Sequence, residues 1–462
     1  AVCTLAINDT ELGYLQNGFS AITLGSTAGT GAIAYTTSAD YTFNDPLTIR
    51  SSSGTITATS ALNTATNSLT INSGGAVTVA AITSGTLAVT GTGITLNGDI
   101  TTSGTQTYTG AVTLGNSITA SSTGASSAGN NISFSSTVNG ARALTITAGT
   151  GSITFSSTVG NSTVLTSLAT TSTHASGTIL TGNVTTTGTQ TYTGPVTLAA
   201  ATTLATTNST ISFSSTVNSD GATPRNLTVS VGSGSITFTG AVGGAQGLGN
   251  ISLTSTGTTT FSSTVSATSL TQNSSTGTTT INGGTITTSG AQSYGNPVTL
   301  GATTTLTSSA SGNITFSSTI NGANALTVNT SGATAFNGVI GATTNLTSIT
   351  TDAGGTVSFG GNITTTGAQT YNDAASLTAA TTLSASSVTT GSTLAASSHA
   401  LTITTDAIAL GGNVSGSGAL VIQPKTTSTT IGIGSGITST SCGGAVCTLA
   451  INDTELGYLQ NG

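Results

Sequence analysis

Charge is nearly missing from this chain. Asp, Glu, Lys and Arg together make up 3% of its 462 residues, against about 25% in an ordinary soluble domain. The basic side chains are Arg50, Arg142, Arg225 and Lys425. They are too few and too scattered to neutralise a phosphate backbone, which excludes nucleic acid as a partner. The same scarcity excludes polybasic attraction to anionic lipid. No apolar run approaches the ~20 residues that cross a bilayer, and no charged-then-hydrophobic N-terminal signal is present. Trp and Met are absent. A Met-free stretch suits an internal segment of something longer, whose export signals would lie outside this window.

The residues that do chemistry are equally sparse. His174 and His399 are the only two histidines, and neither is flanked by acids or spaced as a metal ligand. No G-x-S-x-G elbow, Walker loop or G-G-x-G-x-D calcium nonapeptide occurs. Asp40 with Asp45, and Asp352 with Asp373, are the acid pairs that neighbouring coils would bring together. Arg50 lies near the first pair and no base lies near the second. The expectation is a non-enzyme with no cofactor and no metal. Asn-x-Ser/Thr triplets such as Asn131-Ile-Ser133 and Asn362-Ile-Thr364 occur, as chance supplies them in so Thr- and Ser-rich a chain.

What is present is repetition. Residues 1–18 (AVCTLAINDTELGYLQNG) return unchanged as residues 445–462, a period of 444 residues. The chain reads as one whole repeat plus the opening of the next. Of the three cysteines, Cys3 is then the same position as Cys447, so each period carries one pair, Cys442 and Cys447. The intervening Gly-Gly-Ala-Val allows a small disulfide ring, which is the favoured reading and belongs outside a reducing cytosol. Two free thiols are the alternative. A metal site is the poorest fit, because two thiolates without a nearby His or further Cys do not complete a tetrahedron.

Within the long period lies a short one. Phe recurs in Ile132-Ser-Phe134-Ser-Ser-Thr-Val138, Ile153-Thr-Phe155-Ser-Ser-Thr-Val159 and Ile211-Ser-Phe213-Ser-Ser-Thr-Val217, and again around Phe238, Phe261 and Phe316, more loosely at Phe336 and Phe359. Steps of 20 to 25 residues within each run are the signature of a solenoid. Between them, apolar residues alternate with Thr or Ser, the two-residue period of a half-buried strand. Thr, Val and Ile favour extended backbone, and Gly and Asn clusters such as Asn139-Gly140 supply corners. The expected fold is all-β, a parallel β-solenoid of roughly 20 coils of about 20–25 residues running continuously over 1–462. Disorder is the alternative for so polar a chain, but mucin-like stalks are Pro-rich and this chain has 5 Pro.

A third pattern spans several coils. Gln106 and Tyr108 stand in TTSGTQTYTGAVTL, Gln190 and Tyr192 in TTTGTQTYTGPVTL, Gln292 and Tyr294 in TTSGAQSYGNPVTL, and Gln369 and Tyr371 in TTTGAQTYNDAASL. A degenerate fifth copy covers 36–49. Gln and Tyr two apart point the same way. A structural corner is the plainer reading, and a tyrosine surface stacking on sugars is the other. Thr105, Thr107 and Thr109 recur as Thr189, Thr191 and Thr193, which suggests ice binding as a minor alternative. The third and fourth copies interrupt that grid with Ala291, Gly295 and Ala368.

One segment breaks the strand pattern. In residues 8–18, Asn8 suits an N-cap, Glu11 suits the returning half of a capping box, and Gly18 suits the position after the helix. Residues 1–25 are therefore expected to punctuate the array with one short helix and a strand, and 442–462 to begin the next repeat.

The Thr/Ser/Gly coils, with the short N-D-x-E-L helix feeding the strand Ile22-Thr-Leu-Gly25, resemble filamentous-haemagglutinin-type surface proteins, the giant β-strand-repeat proteins of bacterial cell surfaces. The resemblance implies a right-handed parallel β-helix, secretion, and a role as a cell-surface rod or adhesin. The near-absence of charge and the unchanged long repeat favour a structural fibre. Its expected partners are adjacent repeats end to end. Lateral bundling of identical fibres and a glycan or host surface are left open.

Overall fold

A computed structural model describes residues 5–38, 40–124, 128–221, 223–273, 276–428, 430–438 and 449–461. The described residues form a parallel β-solenoid of about 20 turns with very little helix. They group into two compact units, Ala1–Gly234 and Ser235–Gly462. Cys3, Cys442 and Cys447 lie outside the described residues, so the disulfide expectation has no structural counterpart here.

In the first unit, strands a coil apart pair in parallel and in register. Ile132–Phe134 pairs with Ile153–Phe155, that strand with Thr178–Leu180, and that one with Val196–Leu198. A second ladder includes Ala143–Gly149, Ser167–Ser172 and Gln190–Thr193. Shared register matters because strands alternate with period two: in-register stacking places every inward residue on an inward residue of the next coil. Leu144, Ile146, Phe134 and Phe155 are accordingly buried, while the Thr and Ser between them face outward.

The second unit repeats the scheme with its own ladders. Ile314–Phe316, Ala333–Phe336, Thr356–Phe359 and Ala374–Leu377 form one parallel series. Thr304–Ser308, Ala325–Thr330 and Ser348–Thr351 form another.

The recurrent Phe positions become internal ring stacks. Tyr108 lies 4.8 Å from Phe134 and Phe134 lies 5.2 Å from Phe155, with rings nearly parallel. In the second unit Tyr294, Phe316 and Phe336 continue at 4.9 and 5.5 Å. This spacing follows from the strands themselves, which sit about 4.8 Å apart and bring identical side chains face to face.

Polar loop residues stitch one coil to the next. Asp99 accepts the Thr119 N–H at 2.8 Å, Asn183 the Thr203 N–H at 2.8 Å, and Asn362 the Thr382 N–H at 2.9 Å. N–H groups near the strand starts are thereby satisfied. At the bend after the Tyr motif the chain requires glycine. Gly110 and Gly194 adopt φ of +136° and +119°, and an added Cβ would meet the carbonyls of Gly91 and Ser172 at 2.0 and 1.9 Å.

The expected short helix forms. It spans Asp9–Gly13 with the full capping box: the Asn8 N–H donates to Glu11 at 2.8 Å and the Glu11 N–H to Asn8 at 3.0 Å. The second copy, Asp453–Tyr458, repeats the box through Asn452 and Glu455. Gly18 is not the residue that ends the helix. Gly13 already costs helix stability, and the Gly18 N–H instead donates to Asp45 at 3.1 Å.

Candidate functional site

The four Gln–Tyr pairs are the most regular polar feature of the interior. Each Gln begins or lies in a strand whose neighbours place aliphatic residues beside it. Gln106 sits between Leu87 and Ile132, Gln190 between Leu168 and Ile211, Gln292 between Leu270 and Ile314, and Gln369 between Ile349 and Val388. All eight side chains are fully buried.

A buried amide must spend its hydrogen bonds internally, and these do. The Tyr hydroxyl donates to the Gln Oε1 at 3.0 Å for Tyr108, 2.9 Å for Tyr192 and Tyr294, and 3.2 Å for Tyr371. The Gln Nε2 then donates to a carbonyl of the next coil: Ser121 at 2.8 Å, Ala205 at 2.9 Å, Thr307 at 2.9 Å and Ser384 at 3.0 Å. A second branch closes the turn itself. Thr102, Thr186 and Thr288 donate to the carbonyls of Gly104, Gly188 and Gly290 at 2.6 Å, and Thr365 to Gly367 at 2.8 Å. The motif T-T-x-G-x-Q-x-Y therefore describes a coil corner whose inward carbonyls are capped by a side-chain amide, which a phenol holds in place.

Burial has a chemical consequence. With no water to solvate a phenolate, Tyr108, Tyr192, Tyr294 and Tyr371 hold their protons far above the usual 10.0. It also decides the sugar-stacking alternative for these residues, because no pyranose reaches a ring wholly inside the solenoid. Within neither unit does the structure bring the two pairs together. Each is a separate corner on its own coil.

Several of the other polar candidates bond to backbone or to each other, while the Arg50 Nε is buried without a hydrogen-bond partner. Asp45 is buried and takes the Gly18 N–H. Asp352 accepts the Thr330 N–H at 2.9 Å, and Asp373 the Gly355 N–H at 2.8 Å. Burial raises the Asp373 carboxyl above the ordinary 3.8 against the pull of that N–H, and the charge of Asp352 adds to the rise. The two acids that the sequence placed on neighbouring coils thus sense each other. Arg142 donates to Gly115 O at 3.0 Å, Lys425 to Thr365 O at 2.9 Å, and Arg225 pairs with Asp220 at 2.8 Å. His174 and His399 sit in tight turns, the His174 Nδ1 accepting the Ser176 N–H at 3.1 Å and the His399 N–H donating to Ala396 O at 2.9 Å.

One feature was not legible in the sequence. Among the described residues, every exposed large hydrophobic side chain falls near one or other end of the chain. Leu5, Ile7, Tyr14 and Phe19 form the first group, and Leu420, Val421, Ile431, Ile433 and Leu456 the second. No helix of the described residues is long and apolar enough to cross a membrane. No family model, no curated protein and no solved structure matches the chain.

Proposed function

We propose that this chain is a non-catalytic structural module of a long extracellular fibre or cell-surface shaft, built by end-to-end stacking of tandem 444-residue repeats. The observation that carries the reading is the placement of exposed apolar side chains. From residue 20 to residue 419 no large hydrophobic among the described residues is more than partly exposed, and the exposed ones fall at residues 5–19 and 420–456. Exposed apolar side chains gathered at both ends of the chain suit an interface. The unchanged return of residues 1–18 at 445–462 supplies what would cover it.

The mechanism is mechanical. Strand pairs along the axis satisfy each coil's backbone groups with the coils on either side. Joining repeats end to end removes the open sheet edges that would otherwise aggregate. Secretion and a filamentous-haemagglutinin-like shaft follow from the resemblance in coil texture and in the short capped helix. A glycan- or host-binding face is the rival within that family. Ice binding is weaker, since its threonine grid breaks in two of four motif copies.

Electron microscopy of a chain carrying several repeats tests the reading. Uniform thin rods whose length grows in proportion to repeat number are expected. Flexible beads would overturn it, and retention of cells or sugars by this module alone would favour the adhesin.

A further inference from the structure

Described over residues 5–17 and 449–461, the repeated peptide occurs in two environments, and the two are complementary. In the first copy the peptide faces the coil that follows it. Leu12 is 5% exposed. The Asp9 carboxylate accepts both the N–H, at 2.9 Å, and the hydroxyl of Ser38. The Gly18 N–H reaches Asp45. Its other side is bare, with Leu5 and Ile7 at 81% and 42% exposure and Glu11 in solvent.

In the second copy the peptide faces the coil before it. Leu449–Ile451 adds in parallel to Ile431–Ile433, and Leu459–Asn461 adds to Val414–Gly416. Leu449 and Ile451, the counterparts of Leu5 and Ile7, are 0% and 5% exposed. Glu455, the counterpart of Glu11, is buried and accepts the Leu410 N–H at 3.4 Å. The counterpart of Leu12, Leu456, is now 37% exposed. What one copy buries the other leaves open.

We propose that residues 5–18 are a two-sided junction clip whose free side docks on the Ala407–Leu410, Val414–Gly416 and Ile431–Ile433 strands of a second copy of this chain. It would take the seat that residues 449–461 occupy in the chain's own end. Leu5 and Ile7 enter the apolar seats of Leu449 and Ile451, strand addition supplies the backbone hydrogen bonds, and Leu12 stays packed on its own following coil. The contact is head-to-tail, so it propagates without closing. It deepens the end-to-end reading and rests on it for its setting: in a tandem array the same contacts join consecutive repeats within one chain.

The chain's own copy holds the seat at an effective concentration of about millimolar for a short tether. Micromolar neighbours therefore do not displace it. Disabling that copy frees the seat. Wild-type chain is expected to sediment as a monomer at tens of micromolar. Leu449→Asp with Ile451→Asp should give concentration-dependent oligomers, and adding Leu5→Asp with Ile7→Asp should restore the monomer. Leu5 and Ile7 are exposed, so charge there does not disturb the fold. A labelled peptide of residues 1–18 carrying Cys3→Ser should bind the double variant at least about 100-fold tighter than wild type, the ratio expected when a ~1 mM tethered competitor of about 10 µM intrinsic Kd is removed. Far-UV circular dichroism confirms that the solenoid persists, and Leu449→Ala with Ile451→Ala gives the same readouts if charge perturbs the last coil. A folded double variant that stays monomeric and ignores the peptide overturns the clip. Rods in the microscope without exchange sink the clip alone, and exchange without rods sinks the fibre reading alone.

Discussion

Tyr192 donates its hydroxyl to Gln190 Oε1 at 2.9 Å inside a core from which both side chains exclude water. The amide's other end holds the carbonyls of Val184 and Ala205. Removing the phenol leaves one acceptor short. Removing the amide strands a hydroxyl and two carbonyls, each costing about 1–3 kcal/mol when buried without a partner. Gln190→Leu should therefore destabilise the chain more than Tyr192→Phe, and the double variant less than the sum of the two. Urea unfolding of the four proteins checks this, and strict additivity would show that the pair does not act as a unit.

Phe134 is held between Tyr108 and Phe155 at 4.8 and 5.2 Å. Truncation leaves a cavity that the in-register neighbours cannot fill, because their strands are fixed by ladder hydrogen bonds. Phe134→Ala should cost about 3–5 kcal/mol, and Phe134→Leu well under half of that. Equal losses for both would mean that ring stacking, and not volume, is what the site requires.

Alkaline titration reads the corners directly. Tyr108, Tyr192, Tyr294 and Tyr371 keep their protons far above 10.0 in the folded chain, because burial opposes the phenolate. Unfolded tyrosines ionise near 10, so this part of the stability is complete below pH 10 and is lost as the pH climbs above it. Of the eight tyrosines, these four should remain neutral by ultraviolet absorbance until the chain unfolds. Ionisation of all eight together near pH 10 in folded protein would contradict the buried corners.

Asp373 works in the opposite sense to a paired carboxylate. Its carboxyl is raised above 3.8 by burial, with Asp352 adding to the effect, so the folded chain binds this proton more readily than the unfolded chain does. The resulting penalty applies above the raised value and fades as the pH falls toward 3.8. Asp373→Asn keeps an acceptor for the Gly355 N–H and removes the charge. It should raise the melting temperature at pH 7 and make little difference at pH 3.8. Destabilisation of equal size at both values would show that the charge is not the cost.

Much of the architecture can be read along the chain. Alternation around Ile132, Phe134, Leu144 and Ile146 marks inward faces, and the 21-residue step from Phe134 to Phe155 reappears as a ring stack. Asn8 and Glu11 announce a capping box that forms in both copies. The Gln–Tyr corners are less legible. A glutamine among threonines reads as surface by polarity alone. Only the Ser121, Ala205, Thr307 and Ser384 carbonyls, brought from the next coil, explain its burial. The first helix stops short of Gly18, whose N–H is taken by Asp45, a partner 27 residues on that local pattern does not reveal.

Local chemistry by itself determined which stretches are strands, where corners fall and how a coil repeats, because branched side chains, glycines and caps act on their nearest neighbours. Tertiary structure alone decided which polar groups turn inward and which side of the eighteen-residue peptide is left bare. Those outcomes depend on what the adjoining coil presents about twenty residues away. Identical residues met different neighbours at the two ends, so one sequence took on two patterns of burial.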